Sequence, residues 1–462
     1  MRKAPVSLVG VLLLSLALAA CGGDGQEPAP TGQPTTATPQ AGTVAIDLWH
    51  SETVANLETL ERLVDRYNAS QSEVKVRPIY QGNDEEMTAK LLVSLRGSDV
   101  PAIAYLAEVD AQKMIDSGAV TPIQDFIDRE DYDLSDLDEK AVQYYVFQDK
   151  LWAMPFATAV PLVYWNKVMF RAVGLDPEKG PRDLEEVRQY SEKLLQRDGS
   201  GQLVRSGVAM ETSRWYMDLT IAEHGDLFAD NENGRKARAT KVLFDGETGR
   251  WFFQWWHDMN DEGLAINVGR NITGAETFLA VAAGRAAMTF GSSAALRSVV
   301  DALDEGVEGV EIGVAPEPGV PGGTGFPGIY GRGLWVLNRR PQEEQEAAWK
   351  FIKWLMEPEQ QAEWFAGSGY LPVSHASVDL PAAQDIVTRY PLFQVALDLY
   401  LDAPATPASL GALLGPFREI REFVAQAEES MLSGTADPIE ALEEAATRSN
   451  QAIEEYNQRV KD

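Results

Sequence analysis

The order of apolar and polar positions predicts strands and helices that alternate once the first 43 residues have passed. Val44–Trp49 predicts a strand, and Thr53–Tyr67 carries apolar residues at the spacing of an amphipathic helix. Glu73–Tyr80 predicts a second strand, Glu85–Leu95 a second helix, and Pro101–Leu106 a buried third strand. This βαβα order predicts a largely parallel sheet covered by helices.

Further along, the same patterns predict more elements and two segments where the chain changes direction. The strands are Pro161–Trp165, Ala286–Phe290 and Gly333–Leu337, and the helices are Asp183–Gln196, Asp245–Asp261 and most of the chain from Phe417. Met154–Pro161 leads from a strand into small residues and a proline, and Gly322–Gly333 is rich in glycine. Because glycine accepts backbone angles that other residues avoid, we expect the chain to cross between two lobes at these segments.

The amino terminus has the pattern of an export signal. Arg2 and Lys3 precede a run of Val, Leu and Ala that is too short to span a membrane as a helix. The run closes as Leu18-Ala19-Ala20-Cys21, which resembles a bacterial lipobox. We expect residues 1–20 to be a lipoprotein signal peptide and residues 21–43 to be a lipidated Cys21 with a disordered, Gly-, Pro- and Thr-rich tether. The alternative is an ordinary secretory signal that contains a cysteine.

Composition narrows the classes of function. The chain is 45% hydrophobic with eleven tryptophans, which predicts a well-packed body of two domains. A single cysteine excludes an intrachain disulfide, and the four histidines show no metal-ligand spacing, so we expect neither metal nor cofactor. Loss of Arg2 and Lys3 with the signal peptide takes the net charge from −30 to −32. We therefore expect no nucleic-acid partner.

Six short stretches together point to one family. They are Tyr80-Gln81-Gly82-Asn83, Met114–Ala119, Val163–Lys167, Phe170–Pro177, Gly284–Thr289 and Ser368–Val373. With these stretches in register from Val44 to the C-terminus, the chain resembles the extracellular solute-binding proteins (family 1) of ABC importers for sugars and related polyols. Within that family it is most similar to the glycerol-3-phosphate-binding branch.

The resemblance implies an α/β fold of the two-lobe periplasmic-binding-protein type (type II), with a hinge between the lobes and the ligand in the interlobe cleft. The first lobe is expected to comprise residues 44–157 and about 330–378, and the second about 158–329 and 379–462. The lobes close on the ligand, and a monomer delivers it to a membrane permease from outside the cytoplasm, tied to the cell membrane by lipid. No bond-making residue is needed, because closure requires only tighter binding in the closed state.

The resemblance also implies a set of ligand-binding residues. Tyr80 and Glu108 belong to the first lobe, Thr158 to the hinge segment, and Trp215 is an aromatic floor. The anionic end of the ligand is assigned to Ser292, Ser293, the backbone around Gly331, Tyr370 and Arg421. Helix-opening serines offer hydroxyl and N–H donors, and arginine offers a two-pronged fork.

Several of these assignments have a structural alternative, and Glu108 could be an ordinary acidic loop residue. Tyr80 and Trp215 would otherwise be core aromatics. Arg418 lies on the same predicted helix as Arg421 and could replace it, and either arginine could instead form a surface pair with Glu419 or Glu422. The spacing of Trp251, Trp255 and Met259 indicates the buried face of a helix rather than a second sugar platform.

Three positions depart from the family pattern. Ala222-Glu223-His224 replaces a segment with a second tryptophan, Tyr330-Gly331 followed by Arg332 replaces a Gly-Gly pair, and Ala295 replaces a serine. Glu223 would repel a dianionic phosphate if it faced the cleft, whereas Arg332 would attract one. The expected ligand is therefore glycerol-3-phosphate or a glycerophosphodiester whose cationic head lies near Glu223. A neutral mono- or oligosaccharide of the maltose type is the alternative.

An exported hydrolase is the enzymatic alternative. A glycosidase needs only two carboxylates, and the chain has 70 acidic residues. The chain has neither a G-x-S-x-G elbow nor an H-E-x-x-H motif. Asp198–Leu203 resembles a calcium loop but lacks the required glycine and closing glutamate, so it predicts a hairpin turn. We therefore expect a binding protein and not an enzyme.

Overall fold

The computed structural model describes residues 42–97, 99–212, 215–270, 275–306, 309–326, 328 and 330–460. Residues 41–462 form one compact unit. The predicted signal peptide, Cys21 and nearly all of the tether lie outside the described residues, and they stay predictions. Among the helices of the described ranges, none is long and apolar enough to cross a membrane.

The described part of the chain contains fourteen strands and eighteen helical segments, of which α9 (Asp230–Asn233) is a single turn with left-handed φ at Asn231, Glu232 and Asn233 rather than an α-helix. The strands are β1 Val44–His50, β2 Val74–Tyr80, β3 Ile103–Ala107, β4 Val120–Thr121, β5 Val146–Phe147, β6 Lys150–Leu151, β7 Met154–Ala159, β8 Pro161–Asn166, β9 Gln196–Arg197, β10 Leu203–Thr212, β11 Ala265–Arg270, β12 Ala286–Ser292, β13 Ile312–Pro316 and β14 Tyr330–Leu337. The helices are α1 Val54–Ser70, α2 Asp84–Ser94, α3 Ala111–Asp116, α4 Ile123–Glu130, α5 Glu139–Tyr144, α6 Lys167–Ala172, α7 Leu184–Leu194, α8 Tyr216–His224, α9 Asp230–Asn233, α10 Glu247–Asp261, α11 Glu276–Ala282, α12 Leu296–Asp304, α13 Gln342–Leu355, α14 Pro358–Ser368, α15 Pro381–Arg389, α16 Leu392–Asp402, α17 Phe417–Leu432 and α18 Pro438–Arg459. The predicted strands and helices are confirmed, with ends that differ by a few residues.

The first sheet has the strand order β2-β1-β3-β14-β4, and β7 pairs with β14. Strands β1, β2 and β3 are parallel, as predicted, whereas β14 runs antiparallel to β3 and β7. The core around this sheet includes the buried Leu48, Trp335, Trp349 and Trp364. In the chain, β14 follows all the strands of the second sheet, but it lies in the first sheet. The chain therefore returns to the first sheet after it has formed the second.

The second sheet has the order β11-β10-β12-β8-β13, and β9 pairs with β10. Strands β10, β11 and β12 are parallel, and β8 lies antiparallel between β12 and β13. Trp255 and Met259 are buried in the core beside this sheet, as the spacing of that helix predicted. The C-terminal helix α17 packs into the same core through Phe417, Ile420 and Val424.

The chain passes between the two sheets at the two predicted segments. Strand β7 belongs to the first sheet and β8 to the second, with only Val160 between them. The return path runs from β13 to β14 through the glycine-rich segment. These passages produce the α/β two-lobe architecture. The residue boundaries of the two lobes stay a prediction.

Candidate functional site

A cleft of about 850 Å³ lies where strands of both sheets end. Residues after β1, β2 and β3 line it on one side, and residues from the ends of β10 and β12 line it on the other. Strand β14 and helix α17 complete the wall. Ligands of open α/β sheets bind beyond the carboxyl ends of parallel strands, so this cleft has the expected position for a ligand site.

Seven of the nine predicted ligand residues line this one cleft. They are Tyr80, Glu108, Trp215, Ser292, Gly331, Tyr370 and Arg421. Tyr80 is 52% exposed, so the alternative of a core aromatic at that position is wrong. Gly331 is required by packing, because a Cβ there would lie 2.0 Å from the carbonyl oxygen of Ala157.

Thr158 and Ser293 are placed differently from the prediction, since neither lines the cleft. The Thr158 hydroxyl donates to the carbonyl oxygen of Leu371 at 3.0 Å. Ser293 Oγ accepts from the N–H of Val160 at 3.2 Å, at the residue between β7 and β8. Both side chains are buried and stabilise the crossing between the sheets, where backbone groups need partners.

Arg421 is held between two carboxylates. One terminal nitrogen of its guanidinium lies 3.1 Å from a Glu108 oxygen and 2.7 Å from an Asp218 oxygen. Burial raises the pKa of Asp218 to about 6, although the Arg421 charge opposes the rise. The two residues predicted to bind opposite ends of a ligand, Glu108 and Arg421, are therefore partners of each other. A ligand has to share or replace these contacts.

Asp218 was not predicted from the sequence. It lies on α8, and the nearest signal was its position three residues after Trp215, on the same helical face. The chain has 70 acidic residues, so an acidic residue at this spacing from a tryptophan does not by itself indicate a binding site.

Arg418 lies beside Arg421 and is also paired. Its guanidinium donates to both oxygens of Asp110, at 2.7 and 2.6 Å, and the Thr88 hydroxyl donates to Asp110 at 2.8 Å. The alternative of a surface pair with Glu419 or Glu422 is therefore wrong for both arginines, and Glu422 pairs with Arg270 instead.

Arg332 forms the third charged cluster of the cleft. It donates to both Asp84 oxygens, at 2.7 and 2.9 Å, and lies 3.0 Å from a Glu52 oxygen. Burial alone would raise the pKa of Asp84, but the Arg332 charge and hydrogen bonds outweigh it and hold that pKa at about 2. The expectation that Arg332 would attract a phosphate is wrong for this arrangement, because Asp84 and Glu52 already neutralise the charge of Arg332.

The capping of α2 places Asp84 in this cluster. Asn83 Oδ1 accepts from the N–H groups of Glu85 and Glu86 at 3.0 Å, and Glu86 accepts in return from the Asn83 N–H. Such a reciprocal cap fixes the first helical turn. Asp84 begins that turn, so the cap holds its carboxylate in place.

Aromatic rings form the apolar wall of the cleft. The rings of Trp215 and Tyr330 are 6.4 Å apart and inclined by 27°, and Phe290 also lines the wall. The indole N–H of Trp215 donates to Glu211 at 3.2 Å. A flat aromatic face beside a carboxylate can bind the carbon face of a polyol or a cation.

Glu223 does not line the cleft. One of its carboxylate oxygens accepts from the N–H of Gly325 at 3.1 Å, and its backbone carbonyl accepts from Thr324. A Cβ at Gly319 would lie 1.4 Å from the other carboxylate oxygen. Glu223 thus anchors the glycine-rich crossing segment, and burial raises its pKa to about 7. The hypothesis that Glu223 binds a cationic head group is therefore wrong for this arrangement.

The candidate calcium loop is a hairpin, as predicted. Strands β9 and β10 pair antiparallel, and Asp198 Oδ1 accepts from the N–H groups of Ser200 and Gln202 at 2.8 and 2.9 Å. Across the described residues, no group of three or more His, Cys, Asp or Glu side chains is arranged to hold a metal ion.

The fold and the cleft define a two-lobe α/β protein of the periplasmic-binding-protein type. The family model described as bacterial extracellular solute-binding protein matches residues 62–395. The chain therefore belongs to the bacterial extracellular solute-binding protein family.

Curated relatives agree with this membership. The sn-glycerol-3-phosphate-binding periplasmic protein UgpB of Pectobacterium atrosepticum is 29% identical over 90% of this chain and 93% of its own length. UgpB of Shigella flexneri serotype 5b is also 29% identical, over 90% and 94%. Both relatives are binding proteins by name.

Solved structures share the fold. UgpB from Mycobacterium tuberculosis in complex with glycerophosphocholine has a TM-score of 0.75 at 21% identity, over 90% of this chain and 100% of that one. The cyclic alpha-maltosyl-1,6-maltose binding protein from Arthrobacter globiformis has a TM-score of 0.70 at 22% identity, over 89% and 99%.

Proposed function

We propose that the chain is the substrate-binding lipoprotein of an ABC importer and that its ligand is a glycerophosphodiester with a cationic head group. The observation that carries this proposal is the charge balance of the cleft. Three arginines line it, Arg332, Arg418 and Arg421, and together they contact five carboxylates. The positive charge of each of these guanidiniums is therefore already balanced by a carboxylate.

Charge arithmetic then separates the candidate phosphates. At an effective dielectric constant of about 20, one uncompensated like charge about 6 Å away costs about 3 kcal/mol. Glycerol-3-phosphate brings close to two negative charges to carboxylates that already outnumber the arginines. A phosphodiester brings one, and a quaternary ammonium head cancels it. The zwitterion is therefore favoured over the monoester.

The aromatic wall supports the same ligand class. A quaternary ammonium binds over the face of Trp or Tyr, and the stacked rings of Trp215 and Tyr330 line the cleft beside Glu211. Glu211 would then contact the cationic head group, which is the role that the sequence predicted for Glu223. The phosphate oxygens would then lie toward Ser292, Tyr370 and Arg421, and the glycerol hydroxyls toward Glu108 and Tyr80.

Titration calorimetry on the mature chain tests the proposal. We expect glycerophosphocholine to bind at least tenfold more tightly than glycerol-3-phosphate, and Arg421→Ala to weaken it strongly. Arg270→Ala is the matched control, because Arg270 pairs with Glu422 and Glu429 at the surface. Binding of maltose alone, unaffected by Arg421→Ala, would contradict the phosphodiester.

A neutral sugar of the maltose type is the second candidate. The same compensated arginines favour it, because paired guanidiniums and carboxylates bind hydroxyl groups without requiring a ligand charge. The cleft volume of about 850 Å³ also lies in the range of sites for ligands larger than glycerol phosphate. Maltose in the same calorimetric panel distinguishes the two candidates.

The lipid anchor is the second part of the proposal and rests on the sequence. Cys21 closes the lipobox-like segment, and the tether that follows would let the binding domain reach a permease while keeping its local concentration high. Expression of the full-length chain in a bacterial host with labelled palmitate provides the test. We expect label on the wild-type chain and none on Cys21→Ser; label on both would refute lipidation at Cys21.

A further inference from the structure

Arg332 lies next to Tyr370, on β14, an inner strand of the first sheet. On β14 it pairs with Ala107 of β3 and Ala157 of β7. These small neighbours leave room for the long side chain, which is only 13% exposed. The guanidinium also lies over the ring of Tyr105, 5.7 Å from its centroid.

The hydrogen bonds of Arg332 divide into two groups. Its terminal nitrogens donate to Asp84, and one of them also donates to Ser51 Oγ at 2.9 Å. Its Nε–H donates to the hydroxyl oxygen of Tyr370 at 2.9 Å, and the same nitrogen lies 3.0 Å from a buried Glu52 oxygen with which it forms no hydrogen bond. Asp84 therefore fixes the plane of the guanidinium, and that plane fixes the direction of the Nε–H.

This geometry determines what the Tyr370 hydroxyl can do. A guanidinium has donors only, so the tyrosine oxygen must be the acceptor in this contact. Its own proton is then directed to a different acceptor. The Tyr370 ring is held next to Arg332 because it stacks on the Trp364 ring, with 5.8 Å between the centroids. The backbone N–H of Tyr370 donates to Ser368 Oγ and fixes the residue further.

We propose that Arg332 is a positioning residue, which fixes the Tyr370 hydroxyl as a hydrogen-bond donor to an oxygen of the bound ligand. Asp84 holds Arg332 in place for this role. The inference rests on the proposed function only in taking the cleft as the ligand site. The acceptor is a phosphodiester oxygen or a sugar hydroxyl, because both accept from a phenol.

A double-mutant cycle on affinity tests the role. Calorimetry uses sn-glycero-3-phosphocholine and, in parallel, maltotriose, with wild type, Arg332→Met, Tyr370→Phe and the double variant. We expect each single variant to bind either ligand about tenfold more weakly, which is within the range for loss of one hydrogen bond. The double variant should be no weaker than the weaker single one. A hundredfold, multiplicative loss in the double variant would overturn the proposal.

Two further variants separate position from charge. Arg332→Lys keeps a positive charge opposite Asp84 but lacks the Nε–H, so we expect the same tenfold loss. Wild-type affinity in Arg332→Lys would also overturn the proposal. Arg77→Met is the control, because Arg77 pairs with Asp47 at the surface of the same sheet, and its affinity should match wild type.

Two outcomes are anticipated by the design. Arg332→Met leaves Asp84 and Glu52 without their cation and can fail to fold. Arg332→Met with Asp84→Asn and Glu52→Gln removes all three charges and should bind about tenfold more weakly than wild type. If wild type binds maltotriose and not the phosphodiester, the proposed function fails, and the cycle on maltotriose still tests Arg332.

A measurement without ligand completes the test. In NMR spectra of the ¹⁵Nε-arginine-labelled protein, Tyr370→Phe should shift the Arg332 Nε–H resonance, and Tyr80→Phe should not. An unshifted resonance in Tyr370→Phe would overturn the proposal even if wild type binds neither ligand.

Discussion

Asp218→Asn should stabilise the protein at neutral pH. Asp218 has a side chain only 12% exposed, and burial raises its pKa from 3.8 to about 6 despite the contact with Arg421. A carboxyl whose folded pKa is raised contributes stability below its unfolded pKa. That contribution is lost as the pH rises through the folded pKa. Asparagine has nearly the same shape and carries no charge at any pH.

The size of the effect follows from the shift. About two pKa units correspond to about 3 kcal/mol, since each unit is worth about 1.4 kcal/mol. About 1 kcal/mol of this is already lost by pH 4.5, because the unfolded carboxyl ionises first. Relative to wild type, Asp218→Asn should therefore gain about 2 kcal/mol between pH 4.5 and pH 7.5.

Urea unfolding at these two pH values measures the gain. Asp301→Asn is the control, because Asp301 is more exposed and pairs with Arg297 within a single helix. A pH-independent difference between Asp218→Asn and wild type would refute the reasoning, as would a less stable variant at pH 7.5. Either result would mean that Arg421 stabilises the ionised carboxylate by more than burial costs it.

Three further predictions concern stability. Burial lowers the pKa of His50 from 6.5 to about 4. About 3 kcal/mol of the unfolding free energy should therefore be lost as the pH falls from 6.5 to 4. In His50→Gln, the unfolding free energy measured with urea should depend less on pH in this range. Val54 is 69% exposed with φ of 49°, so Val54→Gly should raise the unfolding free energy by about 1 kcal/mol, while Val93→Gly, equally exposed within α2, should lower it. Gly331→Ala should cost about 2 kcal/mol or more in the same assay through the contact with Ala157, whereas Gly199→Ala, with open space around it, should be neutral.

Periodicity predicted the elements well because each depends on neighbours within a few residues. The strands β1, β2 and β3 and the buried face of α10 all follow from local spacing of apolar residues. Seven of the residues predicted from the resemblance line one cleft. The family motifs lie at the ends of strands, and the fold places these strand ends together. Thr158 and Ser293 failed as cleft residues because short hydroxyl side chains also bond to nearby backbone, and sequence does not distinguish these uses.

The ion pairs could not be predicted, because their partners are far apart in the chain. Arg421 and Glu108 are separated by 313 residues, and Arg332 and Asp84 by 248. With 70 acidic residues, every arginine has many candidate partners. The expectations for Arg332 and Glu223 both assumed that the side chain was unpaired. In the folded protein Arg332 pairs with Asp84 and Glu52, and Glu223 accepts a hydrogen bond from Gly325.

The pairing of Arg421 has a consequence for how the cleft responds to a ligand. Glu108 follows β3 of the first sheet, whereas Arg421 lies on α17, whose apolar face packs into the core of the second sheet. The contact between them therefore joins the two halves of the molecule directly. A ligand shifts the conformation only by the difference in its affinity for the two states. An anion at Arg421 has to exchange with Glu108 and lose that contact, whereas a hydroxyl or a zwitterion can bridge the pair and strengthen it. Ligands that keep the pair intact are thus expected to bind more tightly than ligands that have to break it.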